Sequence, residues 1–455
     1  MRASMRVARW LAFCCVAAIA APASARVTLQ FTGALSLGWT DNVLNAPIPR
    51  SGSPFPALTP FADFFGDLRP QLVLTTGSPR AVQALTYAFS YTYFFRNASS
   101  NAYSNTLTWS GAFLPSKRTQ LLLTLTAAQS ELTTQSFAAQ TADPGTPTGS
   151  TLVRPGRVNT ASISLREQLS IDATPRLRVG QNLSVAGTIP ISPRTLATNI
   201  STDFGLTADY LWRKTSLGAV LRVNHFYSFE VDGTDAMGMP TVLVASQGFF
   251  TNSALARWRQ DFGHFWSSEL GLGLQHTVAQ NGTGNNVGPA ANAALRFARP
   301  EAAASLTYAH ATQPSPLLAQ LFLSDSVSAS VAAPLGLETK ISLVLSAVYS
   351  YSRQLLADGK EGARGHLVTA DVALNYTPIQ GLAIYLRGQT SFQRGLDEDP
   401  NPLPSVRRNA IMLGISGFYP TSAAAIVPRA LGTRVDGSDR QLIAEPHMAP
   451  RSDGK

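Results

Sequence analysis

Cysteine is almost absent from this sequence, charged residues are scarce, and long apolar runs are missing. The 455 residues include two cysteines, Cys14 and Cys15, so residues 26–455 cannot form disulfides or thiolate metal sites. Charged residues make up 14% of the chain, whereas a soluble protein carries about a quarter. Beyond the N-terminal segment no stretch holds about 18 consecutive apolar residues, which excludes helical membrane spans. If apolar side chains face outward, they do so from strands.

The N-terminal segment has the three-part pattern of a secretory signal. Three arginines precede the apolar run Trp10–Ala21, and the small residues Ala23-Ser24-Ala25 follow it. This order predicts a signal peptide over residues 1–25. The whole chain carries 36 Lys plus Arg against 27 Asp plus Glu, and the excess is spread out with no basic run. We therefore expect no nucleic-acid partner.

Apolar and small polar side chains alternate along most of the chain. In residues 27–39 the odd positions are mainly large and apolar and the even ones mainly Thr, Gln, Ser or Gly, and the same period returns at 85–95, 200–212, 339–351 and 411–419. A two-residue period places the two sets on opposite faces of a strand. We place eighteen strands near 27–41, 67–76, 80–96, 103–113, 118–130, 157–172, 176–187, 199–213, 216–229, 247–259, 265–279, 289–299, 301–309, 321–332, 337–351, 366–376, 381–393 and 407–419.

The connections between these strands alternate between short and long. Short ones, such as Arg213-Lys214-Thr215 and Pro378-Ile379-Gln380, are tight turns, while long ones at 42–66 and 131–156 are rich in Gly, Pro, Asn and Asp. Short periplasmic turns and long extracellular loops are typical of outer-membrane barrels. An even strand number then predicts that both termini lie in the periplasm.

The predicted fold is all-β: a transmembrane antiparallel up-and-down β-barrel of about 18 strands (16–18) over residues 26–419. A soluble β-sandwich, propeller or β-helix would carry charged residues on its second face, which here is dominated by Ser, Thr, Gly, Ala, Asn and Gln, and no fixed repeat suggests a propeller or solenoid. Residues 420–455 contain too little apolar surface to fold alone, so we expect a disordered periplasmic tail. A segment that enters the lumen or binds a periplasmic partner is the alternative.

Alternation also assigns the side chains that line the lumen. A ring of Lys and Arg favours anions, although charges paired across strands could merely brace the wall. Glu167 falls on the lipid-facing parity, which implies either a bulge or an error in register. The predicted pore-lining charges are Arg69, Arg166, Arg178, Arg222, Arg257, Arg296, Lys340 and Arg387, with Asp203, Asp209, Glu269 and Asp371.

Catalytic motifs are missing. The sequence has no G-x-S-x-G nucleophile elbow and no H-E-x-x-H metal motif, and its six histidines are scattered. We expect neither an enzyme nor a bound cofactor or metal. A Ser–His hydrolase site at the loop-side rim, using His310 or His366, is the catalytic alternative.

The first strand carries the one local motif, Leu35-Ser36-Leu37-Gly38-Trp39-Thr40-Asp41-Asn42-Val43. It resembles the first strand of a broad group of outer-membrane β-barrel porins that begin with G-aromatic-x-D-N. The eighteen-strand organisation also looks like the exopolysaccharide-export porins of Wzx/Wzy-type pathways. That resemblance implies passive conduction of a polysaccharide delivered by a periplasmic export protein. The alternative is a general or solute-specific diffusion porin for small, preferentially anionic solutes. Outer-membrane lipid and lipopolysaccharide are the expected surroundings.

Overall fold

The computed structural model describes most of the barrel region of the chain. The expected signal peptide at 1–25 and the expected tail at 420–455 lie outside the described residues. Within the described part, no helix has the length and apolarity to cross a bilayer, a finding that does not bear on strands. The described residues are 26–44, 46, 60–131, 158–192, 197–234, 240–244, 246–280, 285–299, 302–315, 320–336, 340–355, 361–395 and 405–419.

Eighteen strands form one sheet, and each overlaps one of the eighteen predicted segments. A separate two-stranded hairpin, β10–β11, lies in the connection between β9 and β12 and was not predicted. The strands are β1 (Arg26–Thr40), β2 (Asp63–Ser78), β3 (Ala81–Phe94), β4 (Ala102–Ser116), β5 (Thr119–Glu131), β6 (Asn159–Asp172), β7 (Leu177–Ser192), β8 (Asn199–Trp212), β9 (Thr215–Ser228), β10 (Val231–Thr234), β11 (Pro240–Val244), β12 (Gln247–Phe262), β13 (Trp266–Ala279), β14 (Asn285–Ala298), β15 (Ala303–Ser315), β16 (Gln320–Pro334), β17 (Ile341–Leu355), β18 (Glu361–Ile379), β19 (Leu382–Gly395) and β20 (Val406–Tyr419).

The sheet closes on itself. Each of the eighteen strands pairs antiparallel with its neighbours in chain order, β9 pairs with β12, and β1 pairs with both β2 and β20. Closure leaves the sheet without an edge strand. Because the strand number is even, the start of β1 and the end of β20 lie at the same edge as the tight turns. We call this edge the turn side and the opposite edge the loop side.

Tight turns join the strands on the turn side. The two-residue turns Arg213–Lys214 and Gln380–Gly381 each contain one residue with positive φ, 53° at Arg213 and 89° at Gly381. Hairpins of this length need such φ values to match the twist of the strands. Glycine adopts them without strain, whereas Arg213 adopts them at some cost.

The two faces of the wall differ as the alternation predicted. Leu413 is 59% exposed and Leu272 is 54% exposed, whereas Ser36 and Thr40 on the opposite parity are at most 2% exposed. In a single closed layer a fully buried side chain must point inward, because nothing outside the ring covers it. The apolar face is therefore the exterior and the polar face lines the lumen.

Glu167 is a true exception on the exterior. Its register with Leu123 on β5 and Leu183 on β7 is continuous, and the only shift in the pairing of β6 with β7 lies between Asn159 and Thr160. The bulge considered at this position is therefore absent. Glu167 therefore stands on the apolar outer face.

An arginine placed on the outer face should destabilise the barrel strongly, although the residue that it replaces is exposed. Leu206 is 41% exposed on the outer face of β8, and Thr207 beside it points inward. We expect Leu206→Arg to destabilise the barrel in lipid vesicles by about 2–4 kcal/mol, because a charge would enter the hydrocarbon layer. The measurement is urea unfolding in vesicles. Thr207→Arg is the control, and equal losses for both variants would contradict the assignment of the two faces.

Candidate functional site: the barrel lumen

Ion pairs cover much of the inner wall. Arg178 lies 2.9 Å from Asp172, Arg387 lies 2.5 Å from Asp371, and both acids are on strands adjacent to their partners. Six of the eight basic residues predicted to line the lumen form ion pairs, as do all four of the predicted acids. The remaining pairs are Arg69–Asp67, Arg222–Asp203 (3.6 Å), Arg257–Asp209 and Arg296–Glu269 (3.7 Å).

Arg166 and Lys340 stand apart from this pattern. Both are exposed, and neither forms an ion pair with a described residue. Arg166 points into the lumen from β6, while Lys340 immediately precedes β17 on the turn side. These are the two predicted cations whose charge no neighbouring carboxylate offsets.

The sequence reasoning missed several charges on the inner face. Asp67 lies two residues before Arg69 on the same parity, and Asp172 lies opposite Arg178 across a short turn, so both could have been found by extending the alternation. With Lys340 included, the inner side chains that the structure describes comprise ten basic and eight acidic groups. The inner wall therefore has a net excess of two positive charges, whereas the sequence predicted eight basic and four acidic residues, an excess of four. The other inner charges not foreseen are Asp63, Asp261, Arg259 and Arg408.

Hydroxyl groups pair along the wall between these charges. The side chains of Ser305 and Ser330 lie 2.8 Å apart, and those of Ser324 and Ser352 lie 3.1 Å apart, each pair across neighbouring strands. These short side chains keep the wall polar while taking little space. The surface is suited to water and to hydroxylated solutes.

The lumen is much more filled on the loop side than on the turn side. Phe65, Phe94, Phe226 and Phe322 all point inward near the loop-side ends of their strands, and each is at most 4% exposed. The inward residues of the turn side are mostly half-exposed. Among the described residues, the loop-side half of the lumen is therefore the more densely packed half.

The Asp41-Asn42-Val43 segment turns into this mouth directly after β1. The Asn42 side-chain amide donates to the carbonyl oxygens of Ala46 and Arg407, both at 2.9 Å, and its oxygen accepts from the Ala46 N–H at 2.8 Å. The carboxylate of Asp41 accepts the backbone N–H of Asn409 at 2.7 Å. These bonds tie the start of the first loop to β20.

The result is a buried apolar cluster inside the mouth. Val43 is fully buried against Phe65, Phe94 and Met412. Gly38 of the same motif must be glycine, since a Cβ there would lie 2.6 Å from both the Phe65 ring and the carbonyl oxygen of Ile411. The first-strand motif thus has a structural role: it places the start of the first loop in the lumen.

The wall also overlaps itself between β14 and β15. Their pairing ends at Ala291–His310, although β15 continues beside β16 to Ser315. Pro289 and Pro314 lie beyond the last pair, and neither has a backbone N–H to donate. Past this point the two strands separate.

Beyond His310, the loop-side end of β15 lies on the lumen side of β13. The Thr312 N–H donates to the side-chain oxygen of Gln275, an inward-pointing residue, at 3.1 Å. Leu323 and Leu355, which have outward parity on β16 and β17, form a buried cluster with inward residues that include Phe226 and Phe249. The loop-side ends of β15–β17 therefore pack inside the rim of the preceding strands and narrow the mouth further.

The two histidines considered for hydrolysis lie on the outer face. His310 Nδ1 is 2.7 Å from the Asp325 carboxylate, but its Nε2 is buried and meets no hydrogen-bond partner among the described residues. His366 Nδ1 is 2.9 Å from the Tyr349 hydroxyl. Neither arrangement places a Ser hydroxyl on a histidine. In the described part of the chain, no group of His, Cys, Asp or Glu could hold a metal ion.

Removing the Asn42 side chain should widen the mouth. Asn42→Ala loses three hydrogen bonds that hold the first loop, each worth about 1 kcal/mol, so we expect higher single-channel conductance with the barrel still folded. Planar-bilayer recording measures this. The control is Asn285→Ala, which removes another loop-side asparagine that instead contacts His276. Unchanged conductance in Asn42→Ala would show that this loop does not limit the passage.

Comparison with known proteins gives similarity of shape and no family. No protein-family model matches the chain, and no curated protein matches it. Among solved structures, OccK2 (OpdF) of Pseudomonas aeruginosa is 11% identical, with 87% of this chain and 98% of that chain covered and a TM-score of 0.43. OccK9 (OpdG) of the same organism is 13% identical, with the same coverage and a TM-score of 0.42. The FrpB iron transporter of Neisseria meningitidis (F3-3 variant) is 8% identical, with 86% and 82% covered and a TM-score of 0.43. The assignment of the fold rests on the strand pairing described above.

Proposed function

We propose that this protein is an outer-membrane channel through which small hydrophilic solutes diffuse. The observation that carries the proposal is the closed barrel itself, with an apolar exterior and a polar, ion-paired interior. Eighteen strands enclose a lumen wide enough for water. The exterior needs an acyl environment, because a soluble protein does not expose so large an apolar surface.

The inner charges favour a weak anion preference. The described excess of two positive charges matches Arg166 and Lys340, which have no carboxylate partner, while the paired residues add no net charge. A lumen of this kind slows cations slightly and admits anions slightly better. We therefore propose a modest selectivity rather than a strict one.

Polysaccharide export is the competing hypothesis, and it comes from the resemblance of the eighteen-strand organisation to exopolysaccharide-export porins. A polymer needs a continuous wide path with few points of capture. The buried Val43 cluster and the inward packing of β15–β17 both narrow the loop-side mouth. These features favour small solutes over a polymer chain, and a periplasmic export partner is then unnecessary.

The selectivity can be tested with variants that differ only in net charge. In Arg166→Gln/Lys340→Gln the described inner charges balance, so the reversal potential in a salt gradient should fall to near zero. The control Asp371→Asn/Arg387→Gln removes the same number of charged groups but no net charge, and its reversal potential should match that of the unaltered protein. If the two variants behave alike, the proposed origin of the selectivity is wrong.

The substrate class needs a cellular measurement. Deleting the gene should slow the uptake of small hydrophilic solutes and leave surface polysaccharide unchanged, and a plasmid copy should restore uptake. Loss of surface polysaccharide with normal uptake would instead support export. Purified protein that never shows conductance in planar bilayers would contradict both channel hypotheses.

A further inference from the structure

The outward-facing arginines of the described strands all lie in one sector. Within the described strands, Arg and Lys on the outer face occur at four positions: Arg353 on β17, Arg364 on β18, Arg394 on β19 and Arg407 on β20. We call these four residues the arginine row. They occupy four consecutive strands, and each is near the loop-side end of its strand. All other strand arginines have inward parity.

The register places the members of the row side by side. Arg353 is directly opposite Arg364, and Arg394 is opposite His366. Arg407 is opposite Phe392, which is two residues from Arg394, so Arg394 and Arg407 are diagonal neighbours. Diagonal residues lie about 7–8 Å apart, which lets two arginine side chains reach one small anion.

The row lies immediately beyond the apolar part of the exterior. On β18 the outward residues from Tyr376 to Val368 are apolar, a span of nine residues, and His366 and Arg364 follow them. A strand crosses the hydrocarbon layer in about 9–11 residues. The row is therefore at the level of lipid headgroups on the loop side.

Arg394 and Arg407 are the accessible members. Both are exposed, and neither forms an ion pair with a residue of the described chain. The nearby carboxylate of Asp41 is bound by the backbone N–H of Asn409. Arg353 and Arg364, on the two strands that precede this exposed pair, are half-buried.

We propose that the arginine row binds the phosphate groups of lipid A, the phosphorylated glycolipid anchor of lipopolysaccharide, in the outer leaflet. This inference rests on the proposed function for the membrane and for the loop side facing outward. The planar fork of arginine matches phosphate geometry and binds it through paired N–H···O contacts. An anion that is fixed to acyl chains presents its charge at the border where the row lies, whereas a soluble anion has no reason to gather there.

Other sectors of the loop-side rim have a different character. On β3 the corresponding outward residues are Tyr91 and Tyr93, followed by Phe95, and on β9 they are Tyr227, followed by Phe229. Aromatic rings at this level anchor the wall by contact with the interface and need no specific headgroup. The arginine sector is thus specialised for an anionic lipid.

The test uses the full-length barrel in detergent and a fluorescent lipid A as the probe. Each interfacial arginine contributes about 1 kcal/mol, so Arg394→Gln/Arg407→Gln should weaken binding about 30-fold. Removal of the phosphates from lipid A should weaken binding to the unaltered protein to a similar extent. The control Lys117→Gln/Arg118→Gln removes two exposed charges from a turn-side connection and should bind as the unaltered protein does.

Each outcome decides the proposal independently of channel function. Equal binding by Arg394→Gln/Arg407→Gln and the unaltered protein would overturn the assignment, as would equal displacement of the probe by inorganic phosphate and by unlabelled lipid A. Conductance of the same variant is recorded in bilayers of phospholipid alone, where it should be normal. Absent conductance in the unaltered protein would refute the channel proposal while leaving the lipid measurement valid.

Discussion

The need to satisfy every backbone N–H and C=O group in an environment without water governs this structure. In a lipid layer an open sheet edge would leave a row of such groups unpaired, at several kcal/mol each. The pairing of β1 with β20 removes that edge, and it does so along ten consecutive residues, from Phe31–Tyr419 to Thr40–Ala410. The inside, the outside, the mouth and the rim are defined only once this ring is closed.

Closure also explains why the inner wall is built from pairs. A charge that is partly buried among neighbouring side chains is costly unless an opposite charge lies beside it. Arg257 on β12 and Asp209 on β8 point to the same face from either side of β9, and their side chains still meet. Such contacts link strands of the ring to one another, and they leave only a few unpaired charged groups to set the net charge of the lumen.

Much of the fold could be predicted because one short period repeats along the chain. The β20 residues Ile411, Leu413 and Ile415 show their outward face in sequence alone, and the structure confirms it. The signal was weaker where tertiary contacts override the pattern. Leu323 and Leu355 have the parity of lipid-facing residues, yet they are buried because β16 and β17 bend inward. Pro289 and Pro314 lie where the pairing of β14 with β15 ends, but alternation cannot show where the remaining part of β15 packs.

The sequence predicted which charged residues lie on the inner wall better than it predicted which groups surround them. Parity placed Arg222 and Arg387 on the inner wall, but it could not show which carboxylate each would meet, since that depends on the register between strands. The first-strand motif was noticed as a resemblance, whereas its physical basis, a glycine under an aromatic ring and an asparagine that bonds across to β20, needed coordinates.

The overlap between β14 and β15 gives the two ends of the barrel different mechanical properties. On the turn side the ladder from Ala298–Ala303 to Ala291–His310 fixes the circumference, because any change would break hydrogen bonds. At the loop side no ladder joins these two strands, so the overlap is held by side-chain contacts, which are the Thr312–Gln275 hydrogen bond and the buried cluster of Leu323 and Leu355. The perimeter of the rim is therefore set by side-chain packing rather than by backbone pairing, at the end where the lumen is most filled.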